Sequence, residues 1–263
     1  MNVLDFQNMK DRGEKIVMLT CYDYTSACIV QESDIDVILV GDSAAMVMHG
    51  YETTIPADIE MMTRHIESVS RGARDRFIVG DMPFLSFRQS LTDNMRAVAS
   101  VMKAGAHAVK VEGIEGNTET IEHIVKSGVP VMGHLGLTPQ SVNRFGGFRV
   151  QGRGEGALQK LIAEAKACEE AGCFSLVLEC VPDKLAADVT AALGIPTIGI
   201  GAGPDTDGQV LVMQDLLGLA GEFKPRFVRQ YLDGKRLWRD AFNAYAHDVK
   251  NGSFPSAEES YSQ

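Results

Sequence analysis

VILVGDS (37–43), FIVGDMPF (77–84) and AVKVEG (108–113) are three short apolar runs, and each carries a carboxylate where its apolar part stops. The three acids are Asp42, Asp81 and Glu112. An acid at the end of a buried strand brings a charged oxygen to the edge of a sheet, where the loss of water is costly unless a partner compensates. The pattern therefore indicates a site for a hard metal ion that is built from several strand ends.

Further apolar runs of similar length complete a set of eight candidate strands. These runs are apolar on both faces, as is typical of parallel strands covered by helices. They lie at 16–23, 37–43, 77–84, 108–113, 129–136, 174–181, 195–203 and 210–215. Strands that alternate with helices in this number predict an α/β protein, a (β/α)8 TIM barrel, with a doubly wound open sheet as the alternative.

Helical periodicity fills most of the intervals between these runs, and each helical segment ends at a glycine. The segments lie at 57–72, 91–105, 117–128, 155–172 and 182–194. No low-complexity linker divides the chain, so we predict one barrel domain over residues 1–263, with a helical tail from about residue 224. GIGAG at 199–203 lacks the spacing of a phosphate-binding loop and is interpreted as a barrel turn.

Charge and composition exclude several classes of function. A formal net charge of −10 without any run of Lys or Arg argues against nucleic acid as a partner, since phosphate binding needs a basic face. No stretch of about 18 apolar residues is present to cross a bilayer, and the chain does not start like a signal peptide, so we expect a cytoplasmic protein without a membrane partner. The five cysteines include no C-x-x-C pair, which argues against a disulfide framework or a zinc knuckle.

Catalytic residues of a barrel come from the carboxyl ends of different strands. The polar residues at those predicted ends are Asp42, Ser43, Asp81, Lys110, Glu112, His134 and Glu179. Three carboxylates without an accompanying cysteine suit Mg²⁺ better than Zn²⁺, because hard oxygen ligands match a hard ion. Any one of these acids could instead cap a helix or form a turn, and Asp23, which also ends an apolar run, is either a ligand or a turn residue.

Lys110 and Glu112 lie two residues apart on one predicted strand, so both side chains point to the same face. A lysine beside metal-bound carboxylates could bind a substrate carboxylate, and the alternative is a plain ion pair with Glu112. Glu179 is the lone acid of the run SLVLECV, where burial would make it a stronger base, or it forms an ion pair inside the barrel. His134 lies in GHLG, where the glycines on each side leave room for a ligand, although a core histidine satisfied by backbone groups is the alternative.

Several segments of the chain together resemble the ketopantoate hydroxymethyltransferase family. They are VGDS, DMPF, VKVEG, GHLGLTPQSVN, FGGF, VQGRG, LVLECVP and IGIGAG. The resemblance runs from about Val17 to the C-terminal tail, and the combination of GHLGLTPQSVN with LVLECVP is its most specific part.

This resemblance implies a (β/α)8 barrel with Mg²⁺ that transfers a hydroxymethyl group from 5,10-methylenetetrahydrofolate to 3-methyl-2-oxobutanoate. The product would be 2-dehydropantoate (ketopantoate), in the first step of pantothenate synthesis. The resemblance also implies that Asp42, Asp81 and Glu112 are the Mg²⁺ ligands, directly or through water, and that Glu179 is the proton acceptor. It implies that the oxoacid-binding residues are Asp42, Ser43, Asp81, Lys110 and His134. A homo-oligomer, a decamer of two stacked pentameric rings, is a further implication.

Two other functions are compatible with such a barrel. A Mg²⁺-dependent carbon–carbon lyase of the isocitrate lyase type shares the enolate chemistry, but its Lys-Lys-Cys-Gly-His-like motif is missing from this sequence. The other is a non-catalytic barrel that binds a small acid. In the loop NRFGGFRVQGRG, Arg144, Arg149 and Arg153 either attract the glutamate tail of the folate or form subunit contacts or surface ion pairs.

Overall fold

The structure is a computed structural model that describes residues 1–145, 147, 156–221 and 225–261. Its contacts divide the chain into two compact units, Met1–Val212 and Met213–Gln263. The boundary between them lies before residue 224, where the sequence predicts the start of a helical tail. The single-domain organisation stays a prediction.

In the first unit, parallel strands form a closed barrel, because each strand pairs with the next and the last pairs with the first. The strands are β1 (Ile16–Thr20), β2 (Val37–Val40), β3 (Phe77–Asp81), β4 (Ala108–Glu112), β5 (Val131–Gly136), β6 (Ser175–Glu179), β7 (Thr197–Ile200) and β8 (Gly208–Leu211). Closure confirms the (β/α)8 prediction and excludes the open doubly wound sheet.

Apart from α1, which precedes β1, the helices of this unit follow strands, as the alternating pattern predicts. They are α1 (Val3–Arg12), α2 (Tyr24–Gln31), α3 (Ala44–Val47), α4 (Ile59–Gly72), α5 (Leu91–Lys103), α6 (Thr118–Lys126), α7 (Val142–Phe145), α8 (Ala157–Glu170) and α9 (Asp183–Ala192), with a short 3₁₀ helix at Pro139–Ser141. The five longer helical segments expected from periodicity are all present. The sequence analysis missed α1, α2 and the short helices α3 and α7.

Helix α1 packs against the amino-terminal ends of the strands. The Phe6 ring is fully buried, and its centroid lies 5.3 Å from that of Phe77 and 5.0 Å from that of Phe174, in both cases edge to face. Lys10 on the same helix donates to Asp207 Oδ2 at 2.9 Å and to the carbonyl of Ile195 at 3.2 Å. Helix α1 thus covers the apolar interior at this end of the barrel.

Strand β8 begins two residues earlier than the run predicted at 210–215, and it ends at Leu211. Gly208 approaches β1 so closely that a Cβ there would lie 2.5 Å from the carbonyl oxygen of Ile16. The second half of the predicted run forms the helical turn α10 (Met213–Leu216) instead. An apolar run alone cannot distinguish a strand from a buried helical turn, which explains the error.

The second unit contains α10 and the long helix α11 (Gly234–Asn251). The tail helix is therefore confirmed, although it begins ten residues after the predicted start. Gly234 is the one buried residue of α11, while Trp238, Phe242 and Tyr245 are exposed. Across the described part of the chain, no helix combines the length and apolarity needed to span a membrane.

Candidate active site

Strand register brings the predicted site residues together at the carboxyl end of the barrel. Asp81, the last residue of β3, pairs with Lys110 in β4, and Glu112, two residues further, pairs with His134 in β5. All four side chains are buried, with about 3% of their surface exposed. Parallel pairing therefore converts separate strand ends into one polar cluster inside the barrel.

Main-chain hydrogen bonds continue beyond the strands and hold the segments that follow them. Each bond runs from the amide directly after one strand to a carbonyl in the second half of the next, or at its end. The bonds are Met82 N to Lys110 O (3.0 Å), Gly113 N to His134 O (2.9 Å), Leu137 N to Glu179 O (2.8 Å) and Cys180 N to Ile200 O (2.9 Å). The ends that carry the polar side chains are thereby fixed relative to one another.

Lys110 lies at the centre of the cluster. Its Nζ is 2.8 Å from Asp81 Oδ1, 3.8 Å from Glu112 Oε1 and 3.1 Å from His134 Nδ1. Burial disfavours the ammonium form, but the carboxylates of Asp81 and Glu112 outweigh it and raise the pKa of Lys110 above its usual value. Lys110 is therefore a buried cation. It forms the ion pairs considered from the sequence, and its charge also suits a substrate carboxylate.

Near Asp42, the cluster holds more negative charge than Lys110 balances. Burial, together with the carboxylates of Asp81 and Glu112, raises the pKa of Asp42 well above its usual value. Burial also raises the pKa of Asp81, against the opposing effect of the Lys110 ammonium. Glu112 is different: hydrogen bonding with His134 and the charge of Lys110 outweigh burial and lower its pKa.

Two carboxylate oxygens of the cluster fit a divalent cation. Asp81 Oδ1 and Glu112 Oε1 are buried and face cationic side chains: Lys110 Nζ lies 2.8 Å from Asp81 Oδ1, and His134 Nδ1 lies 3.3 Å from Glu112 Oε1. Such oxygens match the ligands that Mg²⁺ prefers. Among the described residues, no three His, Cys, Asp or Glu side chains are grouped to hold a metal ion by themselves, so water or substrate would complete its coordination. The ligand set Asp42, Asp81 and Glu112 stays a prediction.

His134 bridges the cluster to Glu179. Its Nδ1 lies 3.3 Å from Glu112 Oε1, and its Nε2 lies 3.1 Å from Glu179 Oε2. Burial and the Lys110 charge oppose protonation, yet the hydrogen bonds with Glu112 and Glu179 prevail and raise the pKa of His134 to about 9. His134 therefore contacts charged side chains and is not a core histidine satisfied by backbone groups.

Glu179 is less enclosed than the apolar run SLVLECV suggests. Its side chain is 17% exposed, against 3% for His134, so part of it is accessible. The next residue, Cys180, has φ of +48°, a left-handed conformation that is unusual for a residue with a side chain. The chain turns sharply there, directly after the candidate base. A partly exposed carboxylate held by a buried histidine is accessible to a substrate proton.

The expectation that the glycines beside His134 leave room for a ligand is wrong. A Cβ at Gly133 would lie 3.0 Å from Leu176 Cδ1 and 3.3 Å from Cys168 Sγ, so this glycine permits close packing against α8. Gly136 has φ of +90°, and a Cβ there would lie 2.3 Å from the carbonyl oxygen of Glu179. Both glycines are required by packing and by the turn after β5.

Ser43 lies at the edge of the cluster with a partner that the sequence analysis missed. Its Oγ is 2.8 Å from the hydroxyl of Tyr22, whose complete burial raises its pKa. A Cβ at Gly41 would lie 2.8 Å from Ser43 Oγ and 3.4 Å from Asp81 Oδ2, so the lack of a side chain at Gly41 leaves room for both of these groups. Asp23 accepts the N–H of Ser26 and caps α2, so the turn interpretation is the correct one.

Gln140 is the second residue that the sequence analysis missed. Its backbone N–H donates to Glu112 Oε2 at 3.0 Å, and its side-chain Nε2 donates to Asp42 Oδ2 at 2.9 Å. Gln140 stands in the segment GHLGLTPQSVN, but no spacing rule connects it with acids that are 28 and 98 positions away. A polar residue directly after Pro139 at the start of a short helix was the only available signal.

Comparison with known proteins identifies the family of the chain. The sequence profile described as ketopantoate hydroxymethyltransferase matches residues 1–257. The chain belongs to the ketopantoate hydroxymethyltransferase family. A protein of Bdellovibrio bacteriovorus named 3-methyl-2-oxobutanoate hydroxymethyltransferase is 58% identical over 260 residues, which cover 99% of both chains. A protein of Coxiella burnetii with the same name is 55% identical over 98% of this chain and 97% of its own.

Solved structures with the same fold are far more distant in sequence than these members of the ketopantoate hydroxymethyltransferase family. A phosphonopyruvate hydrolase, in complex with oxalate and Mg²⁺, has a TM-score of 0.64 at 13% identity, with 98% of this chain and 93% of that chain covered. A 2,3-dimethylmalate lyase, described as a PEP mutase/isocitrate lyase superfamily member, has a TM-score of 0.62 at 15% identity, with 94% and 88% covered. These structural similarities show that the chain and the two enzymes share the same barrel fold.

A cavity of about 340 Å³ lies beside the polar cluster of this family member. Glu112 and Gln140 line it on the side of the cluster, and the basic residues Arg88, Arg144 and Lys160 line it elsewhere. Arg144 also forms an exposed ion pair with Glu115 at 3.7 Å, one of the alternatives considered from the sequence. Arg149 and Arg153 lie outside the described residues.

Proposed function

We propose that the protein transfers a hydroxymethyl group from 5,10-methylenetetrahydrofolate to 3-methyl-2-oxobutanoate and releases tetrahydrofolate and 2-dehydropantoate. One observation carries the proposal. Three carboxylates, a buried lysine and a histidine that contacts an accessible glutamate lie together at the carboxyl end of a barrel whose close relatives bear the name of this activity. The reaction is the first step of pantothenate synthesis.

Asp42, Asp81 and Glu112 would hold Mg²⁺, which would supply a Lewis acid for the ketone of the oxoacid and so make its C3 proton easier to remove. The ammonium of Lys110 and the hydroxyl of Ser43 bind the oxoacid, with Asp42, Asp81 and His134 beside it. Lys110 is suited to this because neighbouring carboxylates keep it charged despite its burial. These groups hold the oxoacid in one orientation, which reduces the entropic part of the barrier.

Glu179 takes the proton from C3 of the oxoacid. Its Oε2 contacts His134 Nε2 at 3.1 Å, which orients the carboxylate, while part of the side chain is accessible. The carbon left with the electron pair then forms a bond to the methylene carbon of the folate. Both bonds from that carbon to the two folate nitrogens break, and water provides the hydroxyl oxygen. The proton from C3 and one proton of the water end on the two nitrogens of tetrahydrofolate. Glu179 is thus the residue that begins the carbon–carbon bond formation.

The cavity next to Glu112 supports a site for the folate. A folate carries at least one glutamate with negative carboxylates, and Arg88, Arg144 and Lys160 provide positive charge along the cavity in a protein whose net charge is −10. Arg88 is held in place by donating to the carbonyls of Glu112 and Glu115 at 3.3 and 3.1 Å. The one-carbon donor would thereby approach the cluster from the side of Glu112.

The test is product formation in purified protein, measured by mass spectrometry. We expect 2-dehydropantoate when 3-methyl-2-oxobutanoate, 5,10-methylenetetrahydrofolate and Mg²⁺ are all present, and none when any one is omitted. Cleavage of a 2,3-dialkylmalate without folate would support the lyase alternative, which no feature of the described residues favours. Binding of the oxoacid without any turnover would support the non-catalytic barrel and would contradict the proposal.

The proposal includes a cytoplasmic homo-oligomer, a decamer of two pentameric rings. The exposed aromatic side chains of α11, among them Trp238 and Phe242, support an assembly, since clustered apolar surface on a helix commonly marks a contact site. Light scattering combined with size-exclusion chromatography measures the mass directly. A monomer at micromolar concentration would contradict this part of the proposal and would leave the chemistry untouched.

A further inference from the structure

Gln140 connects the segments that follow three neighbouring strands. It lies in the 3₁₀ helix after β5 and is 7% exposed. Its Nε2 donates to Asp42 Oδ2 and to the carbonyl oxygen of Met82, both at 2.9 Å, and its backbone N–H donates to Glu112 Oε2 at 3.0 Å. Asp42 follows β2, Met82 follows β3, and Glu112 ends β4. One residue thus joins two of the three predicted metal ligands.

The orientation of the Gln140 amide is determined by its partners. Both atoms that contact its terminal group are acceptors, a carboxylate oxygen and a carbonyl oxygen, so only the NH₂ end can face them. Its two hydrogens are used, one for each acceptor. A rotation that exchanged oxygen for nitrogen would place two pairs of oxygens in contact. The side chain is therefore locked in one direction.

We propose that Gln140 is a positioning residue for the metal-binding carboxylates. It holds one oxygen of Asp42 through its side chain and one oxygen of Glu112 through its main chain, and so turns the second oxygen of each carboxylate toward the cation. Glu112 agrees with this division, because Oε2 accepts the Gln140 amide while the buried Oε1 faces the cluster, 3.8 Å from Lys110 Nζ and 3.3 Å from His134 Nδ1. The inference rests on the proposed function only in requiring that the site binds a divalent cation.

An amide suits this task better than a charged donor. A second lysine or an arginine in the same place would neutralise the carboxylates and compete with the cation. An amide donates hydrogen bonds without adding charge, so it orients Asp42 and leaves its negative charge available. Lys110, by contrast, already pairs with Asp81 Oδ1 at 2.8 Å. Gln140 therefore orients the carboxylate of Asp42, whereas Lys110 balances part of the negative charge of the cluster.

The test measures Mg²⁺ binding by isothermal titration calorimetry on metal-freed protein without substrates. Gln140→Met keeps the length of the side chain and the main-chain bond to Glu112 but removes both side-chain donors. We expect it to weaken Mg²⁺ binding about 10- to 100-fold, as is typical when a residue that supports a metal ligand is lost. Gln209→Met is the matched control, since Gln209 Nε2 also makes two hydrogen bonds of 2.9 Å, to Gly203 O and Thr206 Oγ1, but touches no carboxylate.

An unchanged Mg²⁺ affinity in folded Gln140→Met, with only its thermal stability lowered, would overturn the proposal and leave Gln140 a structural residue. If that variant does not fold, Gln140→Asn gives the answer, because the shorter amide keeps the chemistry but cannot reach both acceptors. A wild-type protein that binds no Mg²⁺ would also overturn the proposal. A wild-type protein that binds Mg²⁺ but forms no 2-dehydropantoate would refute the proposed function alone, since the Gln140 experiment uses binding only.

Discussion

The two ends of the barrel each hold a lysine beside a carboxylate, but the balance of charge around the two lysines differs. At the amino end, Lys10 Nζ has three acceptors, namely Asp207 Oδ2 at 2.9 Å, Ile195 O at 3.2 Å and Thr190 O at 3.4 Å. At the carboxyl end, the single lysine Lys110 lies near three buried carboxylates, and the negative charge of Asp81 and Glu112 helps to raise the pKa of the third, Asp42. An ammonium group has three hydrogens to donate, so Lys10 uses all of them.

This difference indicates how the barrel divides its tasks. The amino end combines the buried ring of Phe6 with a completed hydrogen-bond network, and both features stabilise the fold. The carboxyl end keeps an excess of buried negative charge, which is unfavourable for folding but favourable for a cation that balances it. Substitutions at the two ends should therefore separate stability from binding and catalysis.

Glu179→Gln is expected to have the largest effect, and it tests the catalytic role of the carboxyl end. A glutamine cannot accept the C3 proton, so exchange of that proton of 3-methyl-2-oxobutanoate in deuterated water should slow by about 10²- to 10⁴-fold, as followed by NMR. Mg²⁺ affinity should stay unchanged. Glu169→Gln is the matched control near the amino end, where Glu169 Oε1 accepts the N–H groups of Gly194 and Ile195. A normal exchange rate in Glu179→Gln would exclude this residue as the base.

Phe6→Ala should have the largest effect on stability. Removal of a fully buried ring that contacts Phe77 and Phe174 should lower the free energy of unfolding by about 3–5 kcal/mol, as measured by urea denaturation. The C3 proton exchange rate of the folded variant should equal that of the wild type. Slower exchange at a temperature where the variant is fully folded would show that the two ends are coupled.

Asp207→Asn tests the network at the amino end. The substitution removes the charge that faces Lys10, while both side chains are 17% exposed, so we expect a loss of about 1–3 kcal/mol in the free energy of unfolding. Thr197 N, which donates to the same Oδ2 at 2.8 Å, would also have a weaker acceptor. Calorimetric melting measures the change. A stability equal to that of the wild type would contradict the distinction drawn between the two ends.

Asp42→Asn, in contrast, should raise the free energy of unfolding of the metal-free protein by about 1 kcal/mol at neutral pH. In the folded protein, the pKa of Asp42 lies well above its usual value of 3.8, so the protonated carboxyl contributes to stability at low pH. This contribution is lost as the pH rises from 3.8 through the raised pKa. The advantage of the variant over the wild type should therefore grow with pH. Thermal melting at several pH values measures it, and Mg²⁺ should reverse it. A variant less stable than the wild type at every pH would refute this explanation.

Much of the fold and most of the candidate site could be predicted from local sequence. Asp42, Asp81 and Glu112 each follow an apolar run, and the geometry of parallel strands brings such positions to one end of a barrel. Lys110 and Glu112 share a face because the period of a strand is two residues. These features depend on patterns within about eight residues, which a sequence displays directly.

The parts that could not be predicted depend on contacts between distant positions. The hydrogen bond from Gln140 to Asp42 joins residues 98 positions apart, and the shared hydroxyl contact of Tyr22 and Ser43 depends on how β1 and β2 are paired. The glycines at 133 and 136 gave a wrong expectation because the reason for a missing side chain, packing or ligand, is visible only with its neighbours. The bounds of β8 were predicted wrongly because an apolar run alone does not show where a strand ends and a buried helical turn begins.

The main-chain hydrogen bonds beyond the strand ends have a consequence for how the sequence can change over generations. The bond from Leu137 N to Glu179 O, and the equivalent bonds next to it, use no side-chain atom. Apart from a change to proline at a donor position, a point mutation leaves these donors and acceptors in place, so the spacing between the candidate base and its neighbours depends little on side-chain identity. Side chains around the cavity are then free to diverge toward other substrates while the distances needed for proton removal persist.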